Sequence, residues 1–174
     1  MFQPFWARSS CSELKEFPEA RYGNQTLAFH PAPFQAPAVA YAALVFAWQE
    51  DRVLVCNIKG RGWCIPSGRL EPGESSLDAA TREALEEGGA TLEGIEYFGT
   101  YEITEGNQTR WADCFTAQIT ALQPPTHPQE STATKLLTLP ELADLYYLWN
   151  PLTEAVFAES KAAIQMRTGN KTPP

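Results

Sequence analysis

Residues Gly68 to Ala90 read GRLEPGESSLDAATREALEEGGA. Three glutamates, Glu83, Glu86 and Glu87, stand at i, i+3 and i+4. On a helix these positions share one face within about 100° of arc. Three like charges on one face repel each other, so they add little as structure. They suit a cradle for hard divalent cations, which take carboxylate oxygens and bring phosphates with them. A helix is expected from about Ser75 to Glu87. Ser75-x-x-Asp78 is a capping-box-like start with Asp where Glu or Gln is usual, and Gly88-Gly89 is a stop, since glycine tolerates the left-handed conformation after a helix. Leu77, Ala80, Ala84 and Leu85 form the stripe expected to face the core, with the alanines suggesting a close helix–sheet approach.

The spacing resembles the Nudix box, Gly-x5-Glu-x7-Arg-Glu-U-x-Glu-Glu-x-Gly-U, where U is a bulky aliphatic residue. Gly68, Glu74, Arg82, Glu83, Glu86, Glu87 and Gly89 supply every fixed position. The two U positions depart from the pattern, because both are alanine, Ala84 and Ala90. Just upstream, Trp63-Cys64-Ile65-Pro66-Ser67-Gly68 is similar to the family's Trp-x-Leu-Pro-Gly-Gly. The resemblance implies an α/β (α+β) fold, an α/β/α sandwich around a mixed β-sheet.

Outward from the box, apolar residues from Ala38 to Trp48 predict a buried strand, and Val53 to Ile58 a second one after a turn. Gly60 to Gly62 and Pro66 to Glu74 read as loops. Gly94 to Glu105 and Thr109 to Ala121 predict a hairpin about Gly106-Asn107. Gln123 to Thr134 is a proline-rich loop carrying His127 and Glu130. Leu139 to Leu145 reads as a short helix opened by Pro140, and Pro151 to about Met166 as a second helix with Leu152, Val156, Phe157, Ala163 and Ile164 on one broad face. The domain is therefore expected over 37–166. Residues 167–174 are expected to be a disordered tail, and 1–36 an irregular extension. That extension holds seven aromatics, Phe2, Phe5, Trp6, Phe17, Tyr22, Phe29 and Phe34, too many for a free tail. It is expected to pack on the core or on a second subunit, with a homodimer as the favoured outcome.

A chain of 174 residues with 44% hydrophobic residues can bury one core. Net charge is −8 with no basic run, which argues against a nucleic-acid polymer or an anionic membrane as partner. A small phosphorylated substrate stays compatible, because bound cations invert the local field. Cys11, Cys56, Cys64 and Cys114 show no ligand-like pairing and read as reduced thiols. With no apolar signal segment in MFQPFWARSS, a cytoplasmic location is expected.

The chemistry implied by the resemblance is hydrolysis of a nucleoside diphosphate linked to another group X, by water attack on a pyrophosphate phosphorus. Mg²⁺ is the implied cofactor, with Mn²⁺ as a substitute. By similarity Glu83 and Glu87 are the leading ligands, Glu86 follows, and the carbonyl of Ser67 is a further candidate, although the family usually has glycine there. Arg82 is similar to the arginine that braces the loop carboxylates and is expected to pair with Glu74 or Glu71. The general base stays open between Glu83 and Glu130, while His30 and His127 are the poorer candidates. For substrate contacts the sequence offers Phe98, Tyr101 and Trp111 as stacking surfaces, and Lys59, Arg61 and Arg69 for phosphates. Glu105 to Gln108, which fall 15 to 18 residues past the box, include neither the proline nor the tyrosine that marks some subfamilies. The rival reading is a Nudix-fold nucleotide-binding or regulatory module without catalysis. An EF-hand is excluded by the missing Asp-x-Asp-x-Asn-Gly loop.

Overall fold

The computed structural model describes residues 16–169. Two of its strands set the core. β3 (Ala42–Gln49) and β4 (Arg52–Ile58) form an antiparallel pair and are buried along almost their whole length. Their side chains alternate between two separate apolar clusters, as period-two geometry requires. Ala43, Val45, Ala47, Leu54 and Cys56 point to one face of the sheet; Ala42, Phe46, Trp48, Val53 and Val55 point to the other. A strand apolar on both faces needs a cover on each, so it belongs in the middle of a layered fold.

The two covers differ in side-chain size. On the first face lies α1 (Ser76–Glu86), whose Ala79, Ala80 and Ala84 are fully buried against the sheet alanines. Small residues on both sides of this contact let the helix sit close, so the alanine at the box position reserved for a bulky aliphatic is matched by Ala43 and Ala47 opposite. On the second face lie α2 (Leu139–Leu145) and α3 (Pro151–Gly169). There Phe46 and Phe157 meet edge to face at 4.9 Å between centroids, and Trp48 donates its indole N–H to Ser160 Oγ at 3.3 Å.

Around this centre the sheet is mixed. β7 (Ala90–Glu105) and β8 (Gln108–Leu122) form the long hairpin, and β8 lies parallel to β3. β1 (Ala20–Tyr22) and β2 (Gln25–Pro31) extend the sheet beyond β7, giving the order β1-β2-β7-β8-β3-β4 and then β5 (Gly62–Cys64). β6 (Ser67–Arg69) pairs with β3, and β9 (Ser131–Leu137) with β4. The expected α/β/α sandwich with a mixed sheet is the architecture found.

The local expectations need four corrections. The extension over 1–36 is not irregular throughout: residues 25–31 pair residue by residue with β7, from Gln25↔Glu105 to Pro31↔Gly99. The loops expected at Gly60 to Gly62 and Pro66 to Glu74 contain the short strands β5 and β6, and the proline-rich loop ends at Glu130 because Ser131 to Thr134 already belong to β9. Leu77 and Leu85 do not face the core; they are 44% and 39% exposed, since the buried stripe of α1 runs instead through Ala79, Ala80, Glu83 and Ala84. The last helix continues to Gly169, so the tail expected from 167 begins later, and 170–174 lie outside the described residues, as do Phe2, Phe5, Trp6 and Cys11 of the N-terminal reading. Cys56, Cys64 and Cys114 are buried free thiols, as expected.

Candidate active site

Ser75 fixes the start of α1: its hydroxyl accepts the Asp78 N–H at 3.2 Å and donates to Asp78 Oδ2 at 2.6 Å. With that register set, the i, i+3, i+4 spacing places the carboxylates on the flank that turns toward the sheet rather than toward solvent. Glu83 is 8% exposed and Glu87 only 4%. Carboxylates are almost never this buried without partners. The partners come from β6, which β3 holds in place through the Ala43↔Gly68 and Leu44↔Ser67 pairs. Glu87 Oε2 accepts the Ser67 N–H at 2.9 Å. The Glu83 carboxylate lies directly against Gly68, where an added Cβ would sit 1.8 Å from Oε1. The box glycine is thus required by the closeness of the carboxylate, since any side chain would occupy its place.

Arg82 is the principal counter-charge. Its Nε and Nη2 donate to the two oxygens of Glu74 at 2.8 and 3.0 Å, a bidentate pair. Nη1 donates to Glu83 Oε1 at 2.7 Å and Glu86 Oε2 at 3.1 Å, and Nη2 also reaches the Arg69 carbonyl at 3.1 Å. The sequence left Glu74 and Glu71 open as the partner; the side-chain partner is Glu74, and Glu71 contributes its N–H to Glu74 Oε2 at 2.9 Å. Arg82 and that N–H hold the Glu74 carboxyl down at about 2. Of the buried pair, this guanidinium bonds Glu83 and not Glu87. Burial raises Glu83 against the opposing pull of Arg82, with Glu86 and Glu130 adding to the rise. Burial pushes Glu87 up to about 7 despite the Ser67 N–H, with the Glu83 charge adding to the rise.

The loop over 123–130 is pinned to the end of α1. Gln123 donates its N–H to the Gly89 carbonyl at 2.9 Å, and His127 donates its N–H to the Glu86 carbonyl at 3.1 Å. Gly89 has φ +63°, and a Cβ there would lie 1.9 Å from the Gln123 carbonyl oxygen, so the second glycine of the helix stop is also the seat of this loop. Glu130 comes close enough for its charge to raise Glu83 and Glu87. His127 is also brought in, with Nδ1 3.8 Å from Glu86 Oε1. The sequence ranked it low, and nothing in His127-Pro128 shows that this loop folds onto the box helix. His30 stays apart: it bonds Glu102 at 2.7 Å and stacks on Phe34.

Beside Ser67 and Gly68 opens a cavity of about 400 Å³ on the α3 side of the sheet. Leu27, Leu44, Tyr101, Ile103 and Ala112 line it from the sheet, Tyr146 and Tyr147 from the segment after α2, and Arg61 and Arg69 from the side of the box. Tyr22 and Tyr147 meet edge to face at 6.1 Å, and the Arg110 guanidinium lies over the Tyr41 ring at 5.0 Å. Of the suggested phosphate contacts, Arg61 and Arg69 reach this cavity, and Arg61 also donates to Ser67 Oγ at 3.1 Å. Lys59 is not among the lining residues. Of the suggested stacking surfaces only Tyr101 lines it; Phe98 packs on Phe29 and Phe46, and Trp111 beside His30 and Phe34. The sequence missed Tyr22, Tyr41, Arg110, Tyr146 and Tyr147, which come from distant segments and share no spacing.

Among the described residues no three His, Cys, Asp or Glu side chains converge on a point where they would hold a metal ion, because Glu83 and Glu86 each turn one oxygen to Arg82. The donor chemistry nevertheless fits a hard divalent cation. The atoms are all carboxylate oxygens, two of the groups are almost buried, and one arginine, Arg82, is shared by three carboxylates, Glu74, Glu83 and Glu86.

Comparison with known proteins places this geometry. The sequence profile of the NUDIX domain matches residues 38–158. The Bacillus subtilis protein YtkD, provisionally named as an 8-oxo-dGTP diphosphatase, is 28% identical over 111 residues, which cover 63% of this chain and 68% of YtkD. The human 8-oxo-dGDP phosphatase NUDT18 is 39% identical over 69 residues, 36% of this chain but only 21% of that protein. Among solved structures, the Bacillus subtilis pyrophosphohydrolase BsRppH superposes with a TM-score of 0.69 at 22% identity, covering 87% of this chain and 98% of that one. A NUDIX hydrolase from Nitrosomonas europaea superposes with a TM-score of 0.60 at 22% identity, covering 72% and 90%. The profile spans most of the chain and includes every residue of the box, from the glycine that admits Glu83 to the helix stop, so the chain belongs to the Nudix family and is a hydrolase of phosphoric anhydride bonds.

Proposed function

We propose that the chain is a divalent-metal-dependent pyrophosphohydrolase that cleaves a nucleoside diphosphate linked to a further group, a nucleoside triphosphate or a nucleotide derivative. The observation that carries this reading is the carboxylate cluster pressed against β6, with Glu83 and Glu87 nearly buried and Arg82 engaged mainly by Glu74. Glu83, Glu86 and Glu87 would hold the metal together with the Ser67 carbonyl. Bound Mg²⁺ or Mn²⁺ supplies charge neutralisation, phosphate orientation and an acidified water. Arg82 and Glu74 keep the box loop over α1, so the donors stay in place when substrate enters. We assign Arg61 and Arg69, which line the cavity along with Ser67 and Gly68, to the phosphate chain. Either Glu83 or Glu130 takes the proton of the attacking water, and the bond from phosphorus to the bridging oxygen breaks.

The names of the relatives, 8-oxo-dGTP diphosphatase and 8-oxo-dGDP phosphatase, put oxidised purine nucleotides first in any screen. The test is phosphate release over nucleoside triphosphates, 8-oxo-dGTP, 8-oxo-dGDP, nucleotide sugars, ADP-ribose, NADH, CoA and dinucleoside polyphosphates, with Mg²⁺ and with Mn²⁺. Turnover on at least one compound, abolished by EDTA, is expected. Nucleotide binding with no turnover on any compound points instead to the catalytically silent module, and full turnover in EDTA would falsify the metal role. We place the reaction in the cytoplasm, and no helix of the described residues is long and apolar enough to cross a membrane. The homodimer proposal rests on the aromatic segment that begins the chain.

A further inference from the structure

We propose that the hydroxyl of Tyr101 is the group that reads the polar edge of the nucleobase, making Tyr101 a specificity-determining residue of this enzyme. The inference rests on the proposed action on nucleotides and deepens it. It starts from an account of polar atoms around the cavity. Asn150 has the amide best suited to base recognition, but Oδ1 accepts the Thr153 N–H at 3.0 Å and Nδ2 donates to the Leu148 carbonyl at 3.3 Å. Thr153 Oγ1 donates to that same carbonyl at 2.8 Å, and Gln25 Nε2 donates to Glu105 Oε2 at 3.0 Å. Tyr22 and Tyr147 also line the cavity but are 51% and 39% exposed, where water competes for their hydroxyls, whereas the side chains of Asn150, Thr153 and Gln25 are engaged in holding the fold.

Tyr101 is not. Its ring is fixed in the core, 5.3 Å from Phe29 between centroids, and the residue is 8% exposed. Its hydroxyl has no hydrogen-bond partner among the described residues. Nor is it sealed from solvent: Ser131 Oγ is the one buried side-chain polar atom among them that lacks a partner. The Tyr101 hydroxyl is therefore reached from the space that the residue lines, which is the cavity. Its neighbours in the wall are Leu27, Leu44, Ile103 and Ala112, all apolar. An ionised phosphate would lose its hydration there without recompense, whereas a planar, uncharged base would not. The arginines on the side of Ser67 and Gly68 take the opposite end of the substrate. Burial holds the phenol well above its ordinary pKa, so at neutral pH it is an O–H donor that also accepts. The sequence suggested the Tyr101 ring as a stacking surface; with the ring held against Phe29, it is the hydroxyl that we assign to the ligand. A hydroxyl fixed in an apolar wall discriminates against any base that leaves it unpaired.

The experiment is calorimetric titration of full-length wild-type and Tyr101→Phe protein, with Mg²⁺, by the α,β-methylene analogues of ATP, GTP, CTP and UTP and by inorganic tripolyphosphate. Phenylalanine keeps the ring contacts, and an unchanged melting temperature verifies that. At least one base analogue should bind the variant roughly five- to twenty-fold more weakly, the loss of one neutral hydrogen bond in an apolar wall. The spread of affinities among the four bases should narrow, and tripolyphosphate should stay within about twofold. All four analogues unchanged, an equal loss for tripolyphosphate, or no binding of any analogue to the wild type would each overturn the assignment. Because the readout is binding, an enzyme that binds with this pattern yet fails to turn over sinks the hydrolytic reading and leaves the assignment of Tyr101 standing.

Discussion

Glu87 and Gly68 show how narrow the tolerance of this site is. The Glu87 carboxyl is pushed up to about 7 in the folded chain from an ordinary 4.5. A carboxylate with a raised folded pKa favours the fold while protonated, so its contribution is lost as pH rises from the ordinary value through the raised one. Glu83 shifts in the same direction. The metal-free protein should therefore melt lower at pH 8 than at pH 5. Glu87→Gln should flatten that difference by on the order of 1–3 kcal/mol, because the amide oxygen still accepts the Ser67 N–H but carries no charge. Melting curves in EDTA at the two pH values check this, and a steeper pH dependence in the variant would contradict it. The same substitution should cut turnover far more than stability. Gly68→Ala should do the reverse of a surface change: the new methyl occupies the place of Glu83 Oε1 and forces that carboxylate away. A displacement of about 1 Å in a catalytic group costs roughly a hundredfold in rate. Turnover should fall by that order while the circular dichroism spectrum is kept, as a kinetic and spectroscopic comparison of the variant would show.

The helix α1 and the strands β3 and β4 were legible because their signals are local: a cap, a glycine stop and alternating apolar residues lie within each segment. β2 and β9 were not. Gln25 to Pro31 finds its ladder some seventy positions later, at Gly99 to Glu105, and Pro31 and Pro33 beside it read as breaks. Ser131 to Thr134 follow Pro124, Pro125 and Pro128, and only pairing with β4 makes them a strand. The orientation of α1 was half legible. The carboxylate spacing identified one face, but the exposed Leu77 and Leu85 suggested the wrong stripe, because the sheet below selects small residues rather than large ones. That selection can be tested. Ala84→Leu restores the bulky aliphatic the family usually has here, yet in this chain it must enter a contact already filled by Ala43, Ala79 and Ala80. It should destabilise by about 1–3 kcal/mol through overpacking, read as a lower midpoint in urea with an unchanged slope.

The segment before the profile match is part of the sheet, and this bears on size and association together. Removing residues 1–31 takes away β1 and β2 and leaves the edge of β7 unpaired from Gly99 to Glu105. Such an edge pairs with other chains, so the truncated protein should aggregate and melt earlier than the full chain. Removing residues 1–15 leaves both strands, so the edge of β7 stays paired. If the first segment joins two copies, light scattering should show that shorter deletion converting a dimer to a monomer; a monomeric mass for the full chain at high concentration would rule out the dimer. The cavity lay beyond reading from sequence for the same reason as β2. Tyr22, Tyr101 and Tyr147 meet only because the strand order β1-β2-β7 folds the start of the chain beside segments some eighty and more positions away.

The two bonds from the 123–130 loop to the last turn of α1 make this loop a clock for the site. The amide protons of Gln123 and His127 are sheltered only while the backbone at Gly89 and Glu86 stays in place. Their exchange with deuterated water therefore counts the openings of the very turn that carries Glu86 and Glu87. Filling the cluster with a cation and a nucleotide should slow both amides together, whereas amides on the far side of the sheet, such as those of β2, should keep their rates.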